Sequence, residues 1–264
     1  MMRILLNYLG NFMSNHNEGL PARPRGIYLL PNLFTTVSLF AGFYAIVASM
    51  KGGVEIASIA IFIAAVSDSL DGRIARMTQT QTAFGAQYDS MSDEVSFGVA
   101  PALLSYSWAL SQLGKIGWLA AFIFTAAVTL RLARFNTQIS SVDKRYFQGL
   151  PCTAGAALVT AANWICADYH WNNSAAFIFI ASVTVFTAAV MVSNVRYRSF
   201  KDLNLKNKVP FVAILALVLI LVGIAIAPPQ VLFAALFSYA ISGPVITLWS
   251  LKQKRRHRRL AKQK

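Results

Sequence analysis

The sequence predicts an all-α integral membrane protein with about eight transmembrane helices. Three observations predict it. Of 264 residues, 56% are hydrophobic and only 13% charged, with a mean hydropathy of +0.53; a soluble domain carries about 25% charged residues. The apolar residues fall into blocks of roughly 14–22, near the ~20 that a helix needs to span hydrocarbon. Lys and Arg, 24 in all, crowd into alternate connections between the blocks. Alternating polar and apolar strands, the mark of an outer-membrane barrel, are absent.

The elements follow in order. Residues 1–26 precede the first block. Their stretch "ILLNYLGNFM" is short and interrupted by polar residues, and no small-residue cleavage site follows, so it does not read as a signal peptide. It either lies along the membrane interface or stays unstructured. Eight blocks come next, at 30–50, 54–71, 90–110, 116–133, 152–167, 174–193, 209–227 and 230–251. The fifth is the shortest. Pro228-Pro229 marks the turn between the last two. Pro101 is a candidate kink in the third. With the N-terminus inside, 22 of the 24 Lys and Arg face the cytoplasm, leaving only Lys51 and Lys115 outside. That asymmetry places both termini in the cytoplasm. The basic tail 252–264 reads as a topogenic segment held at the membrane surface.

The net charge of +14 is spread over loops and tail instead of one folded face. Topology and anionic head groups account for it without nucleic acid. Cys152 and Cys166 lie 14 residues apart on one predicted helix, about 21 Å, too far for a disulfide. Trp164 and Trp171 suit an interface belt. Asp168 and His170 fall in an outer loop, and Asp143 reads as a solvated loop acid.

Ten residues are Asp or Glu, and five of them fall within "SDSLDGRIARMTQTQTAFGAQYDSMSDEVSFG" (67–98). Asp68 and Asp71 are i and i+3 on one helix; Asp89 and Asp93 are i and i+4 on the next. Two antiparallel neighbours can therefore aim four carboxylates at a common point. Such a cluster repels itself unless cations intervene. Mg²⁺ and Mn²⁺ take oxygen ligands and prefer sites completed by substrate phosphates. Gly72 and Gly85 permit close approach of a ligand to backbone. Ala75 keeps the same face shallow, and Arg76 offers a guanidinium fork for phosphate oxygens. Asn32 and Thr35, on the first span, either touch the substrate or bridge helices, with Asn32 read as facing the substrate. Glu94 points about 100° away from Asp93 and reads as a packing partner. The combination suggests a diphosphate attached to an apolar group.

These residues spell D-x2-D-G-x2-A-R-x8-G-x3-D-x3-D, from Asp68 to Asp93. The pattern resembles, without departure, the signature of the CDP-alcohol phosphatidyltransferase family. The segments "LPNLFTTVSLFAGFYAI", "FGAQYDSMSDEVSFGVAPALL", "RLARFN", "FQGLP" and "MVSNVRYRSFKDL" are similar to the bacterial branch that accepts serine. The resemblance implies two divalent metals held by Asp68, Asp71, Asp89 and Asp93, with Asp93 also the general base. It implies that Gly72, Ala75, Arg76 and Gly85 bind CDP-diacylglycerol. It implies a homodimer, with L-serine as acceptor, in a bacterial cytoplasmic membrane. Arg131, Arg134 and Asn136 are candidates for the serine site, with Lys144, Arg145 and Gln148 behind them. The expected organisation is a six-helix catalytic core at 27–204, two further helices at 205–251 and the tail. Two alternatives stand beside this reading: the same chemistry with glycerol phosphate or inositol phosphate as acceptor, and a divalent-cation transporter.

Overall fold

A computed structural model describes residues 29–78, 80, 82–138, 146–198 and 211–261. Eight helical passages run through them. They are α1 (Leu29–Met50), α2 (Val54–Thr78), a third passage in pieces, α5 (Lys115–Gln138), α6 (Cys152–Asp168), α7 (Ser174–Val192), α8 (Phe211–Ile226) and α9 (Pro228–Ala261). The third consists of α3 (Ala83–Asp93), a π-helical segment (Glu94–Val99) and α4 (Ala100–Trp108). Strands β1 (Tyr146–Gln148) and β2 (Arg196–Arg198) form a short antiparallel ribbon with Phe147 opposite Tyr197. It ties the α5–α6 connection to the α7–α8 connection. α1, α5, α7 and the first 20 residues of α9 are each long and apolar enough to cross a membrane. The chain is a multi-pass membrane protein.

Small residues set the packing. Without a hydrophobic drive between helices in lipid, close contact and interhelical hydrogen bonds hold them together. Ala41, Ala45 and Ala48 on α1 and Ala57, Ala60 and Ala64 on α2 are all buried, and the two helices pack along most of their length. Serine hydroxyls stitch the next contact. Ser38 donates to the Ala64 carbonyl (3.1 Å), Ser96 to the Ser38 carbonyl (3.1 Å) and Ser92 to the Thr35 carbonyl (3.2 Å). A Cβ at Gly42 would overlap Ser96, so this glycine sets how near α1 comes to the π-helical segment. α6 touches α2, α4, α7 and α9. Its length of 17 residues is short for a span, but it is the central helix. Gly155, Ala156, Ala157, Ala161 and Ala162 let its neighbours close in around it.

Several boundaries differ from the sequence reading. α2 continues to Thr78, so Arg76 sits in its last turn instead of beyond its end. α3 begins at Ala83 because Thr82 caps it, its hydroxyl accepting from the Gly85 amide at 2.9 Å. Only residues 79–82 then connect α2 to α3. The third passage is interrupted where the Ala100 amide reaches back to Val95, five residues away. Pro101 follows in the first turn of α4, where its missing N–H costs nothing. α9 continues through Ala261 instead of ending near 251, since Lys, Arg and Gln are good helix formers. Residues 1–26, Asp143, Lys144, Arg145, the 204–205 boundary and the last three residues lie outside the described residues.

Replacing Gly42 with Val should push α1 off the π-helical segment. Overpacking of this kind costs about 1–3 kcal/mol, so thermal unfolding in detergent should begin several degrees lower, while Ser69→Ala, on the exposed face of α2, should leave it unchanged.

Candidate active site

The antiparallel arrangement of α2 and α3 beside α1 brings the acids together. One carboxylate oxygen each from Asp68, Asp71 and Asp89 lies within 4.8 Å of the others. Asp93, one turn further along α3, is within hydrogen-bonding reach of Asp68. Asp71 and Asp93 are buried. The Thr35 hydroxyl, on α1, donates to Asp71 Oδ2 at 2.8 Å and fixes that carboxylate from across the helix pair.

Asp89 lies just ahead of the third apolar run. Burial, then the charges of Asp71 and Asp68, push its carboxyl up to about 7. Its Oδ1 is buried and has no hydrogen-bond partner among the described residues. A buried oxygen without a partner is costly. Three converging carboxylates with one orphaned oxygen fit a divalent cation, which takes hard oxygen ligands and reverses the pressure toward protonation.

A cleft of about 190 Å³ opens from this cluster. Pro31, Asn32 and Thr35 of α1 line it, with Asp71, Gly72, Ala75 and Arg76 of α2 opposite. Thr80 and Thr82 of the connection, and Gly85, Ala86 and Asp89 of α3, close it. A Cβ on Gly85 would lie 3.1 Å from the Thr82 hydroxyl and 3.3 Å from Asn32 Oδ1, so this end of the cleft has no room to spare. At Gly72 a Cβ would meet only the Arg76 guanidinium, at 3.7 Å. The packing therefore does not demand glycine there, and the bare backbone is left facing the cleft. Ligand pockets for drug-sized molecules run to about 300–1,000 Å³. This cleft suits a polar head group whose apolar part lies outside it.

A second group lies around Cys152, outside the lining of the cleft. Arg131, on α5, is within hydrogen-bonding reach of Cys152 at the start of α6, and Cys152 in turn feels the charges of Asp93 and Asp68. Arg131 donates to the Met191 carbonyl (3.3 Å). Gly149, at φ +74°, has no room for a Cβ against Met191 and Arg131. The glycine of "FQGLP" thus lets the ribbon pass over the guanidinium. Arg134 donates to the Val192 carbonyl (3.0 Å) and Asn194 (3.4 Å) and caps the end of α7. Asn136 donates to the Ser90 hydroxyl (3.0 Å), joining α5 to α3. Glu94 accepts from Thr129 (2.7 Å) and packs toward α5, away from the other acids. Asp168 accepts from Gln230 (2.8 Å) at the opposite end of the bundle.

Sequence reasoning missed Cys152, set aside for lack of a disulfide partner; Thr35 does bridge helices, and its partner is Asp71. Sequence reasoning also passed over Thr80 and Thr82. The polar connection "TQT" was the available signal for the last two.

Residues 28–195 match the CDP-alcohol phosphatidyltransferase family, and the chain belongs to it. It is 34% identical over 203 residues to the CDP-diacylglycerol–serine O-phosphatidyltransferase of Helicobacter pylori, covering 77% of this chain and 85% of that protein. It is 28% identical over 232 residues to the protein of that name from Mycobacterium leprae, covering 83% and 76%. Archaetidylserine synthase of Methanothermobacter thermautotrophicus is 35% identical over 170 residues, 64% of this chain and 69% of that protein.

Thr35→Val should weaken Mn²⁺ binding roughly tenfold, the usual effect of removing a group that orients a ligand. Asp89→Asn should weaken it further. Titration of the purified protein followed by Mn²⁺ electron paramagnetic resonance measures both.

Proposed function

We propose that the protein transfers a phosphatidyl group from CDP-diacylglycerol to the hydroxyl of L-serine, giving phosphatidylserine and CMP. One observation carries the reading. Three aspartates of the motif converge beside a cleft suited to a nucleotide diphosphate, with Asp93 in reach of Asp68, and the charges of Asp93 and of the Arg131 guanidinium both act on Cys152. Family membership supports the phosphatidyl transfer. The relatives named for serine support the acceptor.

In this reading Gly72, Ala75 and Gly85 admit the cytidine diphosphate, and Asn32 and Arg76 bind its polar groups. Asp68, Asp71, Asp89 and Asp93 hold two divalent ions, Mg²⁺ or Mn²⁺. When bound, these ions neutralise charge on the diphosphate and on departing CMP. Asp93 also takes the proton of the serine hydroxyl. As that O–H bond breaks, the serine oxygen bonds to the phosphorus bearing the lipid, and the bond from that phosphorus to the oxygen of CMP breaks. General-base assistance supplies about 10²–10⁴-fold; orientation and charge neutralisation account for the rest. Arg131 meets the serine carboxylate. Arg134 and Asn136 hold the surrounding helix ends in place.

The position of the site follows from its substrates. Serine and CMP are soluble in water, whereas the diacyl tails stay in lipid. A site at a helix boundary serves both. The distribution of Lys and Arg supports a cytoplasmic site with both termini on that face of a bacterial inner membrane. The homodimer is part of this reading through the family resemblance.

Purified protein given CDP-diacylglycerol should release CMP only when serine is present, and a chelator should stop it. Glycerol phosphate or inositol phosphate supporting faster release than serine would overturn the acceptor. Asp93→Asn should lower turnover by at least about a hundredfold while CDP-diacylglycerol still binds. Near-normal turnover by that variant would remove Asp93 from its role as base.

A further inference from the structure

The matched family domain ends at residue 195, yet the chain goes on to build a socket in its last helix. α9 contains Gly243-Pro244 in its interior. Pro244 has no N–H, so the carbonyl four residues earlier, at Ala240, loses its helical partner. The Tyr197 hydroxyl, from β2, donates to that same carbonyl at 2.6 Å. Beside it, Gly243 makes room for the ring: a Cβ there would overlap the outer ring atoms of Tyr197. Tyr197 is 1% exposed and packs its ring against Tyr239, with centroids 5.4 Å apart. Burial, then Tyr239, raise its hydroxyl above the usual tyrosine range, so it remains a donor at neutral pH. Glycine and proline each weaken a helix interior. Here both defects answer the same side chain.

The socket bears on the site through its neighbours. Tyr239 lies one turn before Gly243 and is in electrostatic contact with Arg131. The ribbon that carries Tyr197 also carries Gly149, whose lack of a Cβ gives Arg131 its place. Arg131 is thus bounded by α6 at Cys152, by the ribbon and by α9.

We propose that α9 is a wall of the acceptor pocket, seated by Tyr197 in the Gly243-Pro244 socket so that Tyr239 positions Arg131 toward the acceptor's carboxylate. This rests on the reading of Arg131 as the group that meets serine. Tyr197, Tyr239, Gly243 and Pro244 are positioning residues; none of them is required to touch CDP-diacylglycerol.

The test is steady-state kinetics on the full-length protein, with the KM for serine and for CDP-diacylglycerol measured separately. Tyr197→Phe removes the donor and keeps the ring. Pro244→Ala gives the helix back an N–H that competes for the Ala240 carbonyl. Each should raise the KM for serine about tenfold, the scale of a lost hydrogen bond to a misplaced charged group, with the KM for CDP-diacylglycerol near the wild-type value. Pro244→Ala should do so without lowering the Tm, an outcome that a merely structural role for the socket does not produce. An unchanged serine KM in both variants overturns the proposal. So does a joint rise in both KM values with a fall in Tm. Arg131→Lys separates the two levels of the argument. If it raises the serine KM while the socket variants do not, only the role of α9 fails. If it leaves the serine KM unchanged, the assignment of Arg131 fails and this inference with it.

Discussion

Three carboxylates with oxygens within 4.8 Å of one another, and a fourth in hydrogen-bonding reach of one of them, form the constraint around which the rest of the chain is arranged. At that spacing like charges repel strongly, and burial adds to the cost because each anion loses water. Hydrogen bonds within the helices offset part of this, since the Thr35 hydroxyl and the Gly72 amide both donate to Asp71. Asp89 Oδ1, by contrast, has no hydrogen-bond partner among the described residues. A fold that gathers such groups is suited to receive positive charge among them. Arg76 lines the same cleft as Asp71 and Asp89, and Arg131 lies beside Cys152.

Holding repelling groups in place requires stiff supports, and the sequence supplies them through small residues. The alanine seam between α1 and α2 and the serine bonds from α1 to the third passage allow backbones to approach closely. Gly42 is where that approach is tightest. The carboxylates then ride on helices that have little freedom to separate. The break in the third passage lies directly after Asp93, so the part of α3 that bears Asp89 and Asp93 is regular, and the irregular turn is displaced into the bundle. π-helical turns often accompany functional sites. In this chain the turn lets the passage change its hydrogen-bond register before Pro101 without disturbing the acids.

The acidic motif was legible in the sequence because its information is local. Spacings of three and four residues place side chains on one helix face whatever the tertiary structure does. Gly72, Ala75, Arg76 and Gly85 line the cleft for the same reason: they share a face with the aspartates. The eight apolar blocks were legible because bilayer thickness fixes their length. Contacts between distant segments carried no such signal. Thr35 to Asp71 spans 36 residues and Tyr197 to Ala240 spans 43. Cys152 looked inert because only disulfide chemistry was asked of it. Helix ends were misjudged where a short polar link, 79–82, proved to contain both a cap and part of the cleft. Arg131 and Arg134 looked equivalent in sequence. Their partners separate them, one facing Cys152 and the other closing the end of α7.

That separation explains why a lipid-modifying site needs more than its motif. In the proposed reaction the motif residues, all on α2 and α3, bind a nucleotide diphosphate, and apart from Arg76 the charge they carry is negative. A zwitterionic acceptor brings a carboxylate that the acids repel and an ammonium that they attract. Unaided, such an acceptor would bind the wrong way round, amine toward Asp93. A cation beyond Asp93 corrects the orientation, because it draws the carboxylate away from the acids and leaves the hydroxyl between. In the proposed reaction Arg131 is that cation, and the structures that confine it come from segments far along the chain: Gly149, the ribbon and α9. In that reading diphosphate recognition is written in one short stretch, whereas acceptor orientation depends on the assembled bundle.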